Sequence, residues 1–305
     1  MRVLITGATG TIGTALAAAL RERGDDVVAL TRDADRGRRV LGAGIDVHAW
    51  SDPLATPPPA DALRGADAVV HLLGEPVAQR WTEESKRRIV DSRVLGTRHL
   101  VAGVAALGEA ERPRVLVSQS ATGYYGPRDG TPLDEAAPAG SDFLAEVVQA
   151  WEHEARQAPP GVRVVLTRTG IVLSPGGGAL ATMLPFFKLG LGGPVAGGGQ
   201  YVPWVHLDDV VGAVRCAVED EQASGPVNVT APNPVSNAQL GRALGRALRR
   251  PAVLPVPGFA IKLLYGEMAE MVTAGQRVLP TKLQQLGYRF AHPELEEALR
   301  DVLGR

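Results

Sequence analysis

The stretch Val3-Leu4-Ile5-Thr6-Gly7-Ala8-Thr9-Gly10-Thr11-Ile12-Gly13 decides the fold. Its first four residues form a short apolar run ending in threonine, the pattern of a strand buried on both faces. Residues 12–23 follow, rich in alanine and leucine, and read as a helix. Three glycines lie at the junction, each with a mechanical reason. Gly7 allows the tight turn, Gly10 lets the backbone approach a pyrophosphate, and Gly13 lets helix and strand pack closely. The first amides of the helix and its positive dipole end point at the same place. A glycine triplet alone is a weak signal. A strand before it and a helix after it supply the context of a dinucleotide-binding turn. Thr9, Thr11 and Ile12 join the glycines as cofactor-contacting positions.

Outward from this turn, apolar runs recur at 27–31, 45–50, 68–73, 115–118 and 162–167, with helical stretches at 82–106 and 144–157 between them. Continuous rather than alternating apolar runs, separated by helices, predict an α/β fold: a Rossmann-type, doubly wound parallel sheet with helices on both faces. After Arg168 the composition changes. Glycines cluster at 176–178, 190–193 and 197–199, and a smaller C-terminal α/β lobe is expected. The division reads as a dinucleotide domain over 1–170, with 205–232 returning to it. The segments 171–204 and 233–305 make a substrate-side lobe, including a helical module at 252–302.

The end of the second strand selects the cofactor. An acid there would bind a ribose 2′-hydroxyl, and an arginine a 2′-phosphate. Here the chain reads Leu30-Thr31-Arg32-Asp33, with Thr31 in the acid's place and Arg32 beside it. The planar guanidinium fork suits phosphate. The expected cofactor is therefore NADP(H), with Thr31 and Arg32 at its 2′-phosphate and Asp33 as the competing residue.

Bulk composition excludes other classes. Lys plus Arg is 32 and Asp plus Glu 33, a net charge of −1, with no basic tract or aromatic-basic alternation to bind nucleic acid. The runs 36–39 and 86–88 read as solvated faces. Cys216 is the one cysteine, which rules out an internal disulfide and reads as helix core. The opening apolar run is too short for a secretion signal and no stretch is long enough to span a bilayer, so a cytoplasmic, membrane-free protein is expected. The six histidines are scattered without metal-ligand spacing, and no metal is expected. The expected partner is a small-molecule substrate, and the chain is expected to be a monomer or homodimer.

The chain resembles the extended short-chain dehydrogenase/reductases. The resemblance rests on 7–13, on Leu72-Leu73-Gly74, and on Ser118-Gln119-Ser120-Ala121-Thr122-Gly123-Tyr124-Tyr125-Gly126. It is closer still to an atypical branch, the epimerase-family or sugar-nucleotide-epimerase-like proteins. That branch looks like this chain at Trp151-Glu152, Gly170-Ile171-Val172-Leu173, Gly190-Leu191-Gly192-Gly193-Pro194 and Trp204-Val205-His206-Leu207-Asp208-Asp209. The tail from Pro255 to Tyr288 looks like the branch's small C-terminal domain of unknown function. The resemblance implies an NADP(H)-dependent oxidoreductase or epimerase-like enzyme. It places Leu72, Leu73 and Gly74 under the cofactor and Ser118, Arg168 and Arg93 on the cofactor side, with Arg93 standing where the family usually has Asn. It matches Ser120 to a catalytic Ser/Thr.

One departure is chemical. The superfamily's reaction uses a Tyr followed four residues later by a Lys, on one face of a helix. Here Phe143 or Leu144 holds the Tyr place and Val147 or Val148 the Lys place. None of these exchanges a proton. Tyr124 and Tyr125 are the substitute catalytic candidates beside Ser120. Glu75, Gln200, Trp204 and His206 are candidates on the substrate side, while Asp208 and Asp209 read as helix caps. The alternative reading is a non-catalytic NADPH-sensing protein, linked by some relatives to cell or organelle division.

Overall fold

The apolar runs become strands because both of their faces are covered. The computed structural model describes residues 1–175 and 177–304, so Gly176 of the first glycine cluster and the terminal Arg305 lie outside the described residues. In chain order the strands that build the site are β1 (Arg2–Thr6), β2 (Asp26–Thr31), β3 (Asp46–Ala49), β4 (Ala68–His71), β5 (Val115–Ala121), β6 (Arg163–Thr169), β7 (Ile171–Leu173), β8 (Trp204–His206) and β9 (Gly225–Val229). Seven of them form one parallel sheet in the order β3-β2-β1-β4-β5-β6-β9, and β7 pairs with β8 beside it. The order reverses between β1 and β4. In such sheets the ligand crevice opens there, at the carboxyl ends of the strands.

The α-helices of eight residues or more are α1 (Thr11–Glu22), α2 (Ala34–Leu41), α3 (Glu83–Ala105), α4 (Phe143–Ala155), α5 (Gly178–Lys188), α6 (Leu207–Glu219), α7 (Asn237–Leu248), α8 (Gly258–Tyr265) and α9 (Leu295–Val302). Alternate strand residues face opposite layers. Val3 and Ile5 pack with Leu16 and Leu20 of α1 and Val210 and Val214 of α6. Leu4 packs with Leu100 and Val104 of α3. A further core joins Leu173, Leu180, Phe187, Trp204, Leu244 and Leu299 from β7, α5, β8, α7 and α9. The strand at 225–229 and helix α6 belong to the large sheet, although the segments on either side of them belong to the further core.

The arginines of the basic run 36–39 are exposed on helix α2, whose Gly37 is buried against Val47 and Thr31. One local expectation is corrected. Cys216 is half-buried on α6 rather than a core residue. Among the described residues no helix is long and apolar enough to cross a membrane.

Candidate functional site

At the β1–α1 turn the backbone itself forbids side chains. Gly7 has φ +66°, and a Cβ there would lie 2.7 Å from the Leu72 carbonyl oxygen. A Cβ on Gly13 would lie 2.5 Å from the Gly7 oxygen. Helix α1 starts with no side-chain cap and no acid in its first turn. Its ladder begins with the Thr14 amide donating to Gly10 O, which leaves the preceding amides to an outside acceptor. Most helices fill that position with Ser, Thr, Asp or Asn. A bare, acid-free helix start beside a glycine turn is built for an anion.

The β2 end separates the two competing residues. The Asp33 carboxylate accepts the Arg36 amide at 2.9 Å and caps α2, and that hydrogen bond holds its pKa below the usual carboxylate value. Thr31 Oγ1 donates to Asp33 O at 2.9 Å. Arg32 is exposed, and among the described residues its side chain has no hydrogen-bond or ion-pair partner. Asp33 is thus committed to the fold, and the adjacent guanidinium is free.

Below the turn, Leu72 and Leu73 are half-buried, and the Leu73 side chain presses on Gly96 of α3. Arg93 does not reach outward. Its Nη1 donates to the carbonyls of Glu75 at 3.0 Å and Ile89 at 3.2 Å, and its guanidinium backs Gly74. Burial lowers its pKa to about 10, with the Glu75 charge opposing, so it stays cationic at neutral pH. Arg93 holds the 74–75 loop in place. Glu75, at that loop, stands 3.6 Å from Arg88 Nε.

Beyond β5 one buried network joins residues that the sequence treats separately. Ser120 Oγ donates to Glu152 Oε1 at 2.7 Å. Arg168 Nε donates to the same oxygen at 2.7 Å, and its Nη2 to Glu152 Oε2 at 3.0 Å. Arg168 Nη1 also donates to the Tyr125 hydroxyl at 3.1 Å, and Tyr125 donates to Asn228 Oδ1 at 2.6 Å. The Arg168 guanidinium lies 3.4 Å from the Tyr124 ring centre. Burial alone would lower the Arg168 pKa, but the Glu152 hydrogen bonds and charge outweigh it and leave the pKa raised. Burial pushes the Tyr125 phenol up to about 12 despite Arg168 and Asn228.

This network corrects several assignments. The Ser120 and Tyr125 side chains are sealed in, as is that of Ser118, so none of the three presents a hydroxyl to a ligand. Arg168 is 2% exposed and spent on Glu152, so its side chain is a structural ion pair rather than a cofactor contact. Tyr124 is the remaining member with an accessible ring. It is half-buried and meets Tyr125 edge-on at 5.4 Å. On α4, Leu144 and Val148 line Gly123, and Phe143 packs edge-on against Trp81 at 5.1 Å. Apolar contacts therefore occupy the helix face where a Tyr and Lys would act.

The substrate-side candidates are corrected too. Trp204 is 1% exposed, lies in the core and donates Nε1 to Asn233 O. Gln200 donates its amide to the Val195 and Val272 carbonyls, tying a glycine-rich loop to the short helix Glu270–Thr273. His206 is buried and is itself the cap of α6, its Nδ1 accepting the Asp208 amide at 3.1 Å. Asp209, read from sequence as a cap, instead accepts the amides of Ala291 and His292 and the Tyr288 hydroxyl.

Sequence reasoning missed four working groups. Glu152 carried no role of its own. Asn228, buried in the middle of Val227-Asn228-Val229, was a polar residue in an apolar run and a usable signal. The Glu135 carboxylate accepts the amides of Asn228 and Lys282, and no spacing announced it. The fourth is His292, whose ring stacks on His206 at 3.8 Å with Asp208 and Asp301 alongside, contrary to the reading of scattered histidines.

Residues 3–230 match the NAD dependent epimerase/dehydratase family. The chain belongs to that family. Residues 256–302 match a domain of unknown function, DUF1731. Among family relatives, the Arabidopsis thaliana epimerase family protein SDR39U1 homolog, chloroplastic, is 40% identical, over 99% of this chain and 87% of its own length. The Mycobacterium bovis epimerase family protein Mb2239 is 41% identical, over 97% and 96%. The crystal structure of the human family member SDR39U1 (isoform 2) with NADPH superposes with TM-score 0.89 at 34% identity, covering 100% of both chains.

Proposed function

We propose that this chain binds NADP(H) and acts as an atypical oxidoreductase or epimerase-like enzyme on a small substrate. The observation that carries the reading is the division of labour at β2. Asp33 caps α2, while Arg32 stands free to take a 2′-phosphate. The acid-free start of α1 supplies amides for the pyrophosphate, and Leu72 and Leu73 give an apolar floor. The NADPH in the human relative's crystal supports the same choice.

The bound cofactor supplies or accepts hydride. The chain must then move a proton, and the Tyr and Lys places of α4 offer none. Tyr124 is the candidate, with an accessible ring on the Arg168 guanidinium. The role of Arg168, Glu152, Tyr125 and Asn228 is to fix that ring. A regulatory reading, in which the chain senses NADPH without turnover, is favoured by Phe143 and Val147 in the Tyr and Lys places.

Calorimetry with NADPH and NADH tests the cofactor assignment. Arg32→Ala should weaken NADPH by roughly 10- to 100-fold, the usual worth of a charge-assisted phosphate pair, and leave NADH unchanged. Equal loss for both nucleotides would refute the 2′-phosphate role. NADPH oxidation against carbonyls, enones and nucleotide sugars tests turnover. Activity that survives Tyr124→Phe unchanged would remove Tyr124, and no turnover with any substrate class would favour the sensing reading.

A further inference from the structure

We propose that His206, His292, Asp208 and Asp301 form a zinc-binding site where the C-terminal segment meets the start of α6. One ligand atom from each residue can be chosen so that all four lie within 4.8 Å of one another. His206 Nε2 is 3.1 Å from Asp301 Oδ2, and His292 Nε2 is 3.3 Å from Asp208 Oδ2. Ligands at about 2.0–2.1 Å around a tetrahedral zinc are separated by roughly 3.3 Å, so these two distances already match edges of the coordination shell. Two imidazoles and two carboxylates suit zinc over the oxygen-seeking magnesium or calcium.

The second observation is an orphan. His206 Nε2 is buried, its side chain 2% exposed, and it makes no hydrogen bond among the described residues although Asp301 Oδ2 lies 3.1 Å away. Its ring rests on the His292 ring, and its backbone is held in β8 by pairing with β7. His292 is fixed as well, since Asp209 accepts its amide at 2.9 Å and that of Ala291 at 2.7 Å. Asp208 and Asp301 are exposed and leave the site open to solvent. The carboxylates must supply the attraction for a cation, because the helix start itself carries positive partial charge.

The hydrogen bond at Nδ1 places the ring proton of neutral His206 on Nε2. Zinc at Nε2 moves that proton to Nδ1. The Asp208 amide gives up Nδ1 in exchange. The site touches α6, α9 and the segment 288–292, and none of the cofactor-turn residues contributes to it.

Zinc chloride titrated into the tag-free full chain by calorimetry should bind at one equivalent, raise the thermal midpoint, and not be displaced by magnesium. Asp208→Asn and Asp301→Asn, whose side chains are exposed, should each weaken zinc by more than about 100-fold, beyond the 10- to 100-fold that outer-shell changes cost. Both variants should keep the metal-free thermal midpoint near that of the parent. Absence of one-to-one zinc binding in the parent overturns the proposal. So does zinc affinity that both variants leave intact.

Discussion

Glu152 shows what a single buried carboxylate can hold. It takes hydrogen bonds from Ser120, Arg168 and Arg156, with no exposure of its own. Removing one partner of a buried ion pair leaves the other charge uncompensated, at a cost of about 3–5 kcal/mol. Glu152→Gln should lower the denaturant midpoint by that amount of stability, whereas Arg156→Ala, which removes a partly exposed partner, should cost well under half as much. His71 presents the complementary case, a base kept neutral. It is fully buried between Thr6 Oγ1 at 2.7 Å and Thr97 Oγ1 at 3.0 Å, and burial lowers its pKa from 6.5 to about 3. In acid the unfolded chain therefore takes up a proton that the folded chain refuses. Stability contributed by this ring is whole above the unfolded value of 6.5 and falls as pH drops below it, by up to about 1.4 kcal/mol per pH unit. A pH series of thermal midpoints should show this fall, and His71→Gln should flatten it while lowering the midpoint near neutral pH.

At the scale of elements, α1 gives up stability for binding. An acid in its first turn would gain about 0.3–1 kcal/mol from the helix dipole, and none is present. Thr11→Asp should accordingly raise the thermal midpoint slightly and weaken NADPH by tenfold or more, through charge repulsion at the phosphates. A loss of both stability and affinity would show that the bare helix start is incidental. This element was legible in the sequence because its glycines act locally, each against atoms a few residues away or on the next strand. Helix α2 was less legible. Its Ala-Asp-Arg-Gly-Arg-Arg-Val-Leu carries a glycine and four charged positions in eight, and its stability comes from the Asp33 cap and from contact with Thr31 and Val47. Trp204 was misread for a related reason. The glycine-rich loops before it suggested a ligand wall, whereas the pairing of β8 with β7 turns the indole into the core. The catalytic neighbourhood was half legible: the segment 118–126 marked the place, but which hydroxyls are sealed depends on Glu152, Arg168 and Asn228, brought in from three other elements.

At the scale of the whole molecule, a few polar ties join the C-terminal segment to the large sheet. Asp209 on α6 collects the Ala291 and His292 amides and the Tyr288 hydroxyl, whose pKa burial and the Asp209 charge raise. Asp209→Ala strands three donors, each at about 1–3 kcal/mol if it stays buried. Hydrogen exchange should then speed up across 288–304 and remain slow in β1, β4 and β5; protection unchanged in the tail would show that α9's apolar packing suffices. Asn228 makes a tie of the other kind. It lies on β9, an edge strand and the last of the sheet to be synthesised, and its amide group donates to Leu279 O while it accepts the Tyr125 hydroxyl. A ribosome delivers the cofactor turn first and this acceptor two hundred residues later. The nascent chain can pair β1, β2 and β4 early, yet Tyr125 has no buried acceptor until residue 228 has emerged. The polar centre beneath Tyr124 is therefore completed long after the cofactor turn, and it is left unfinished when translation stops before residue 228.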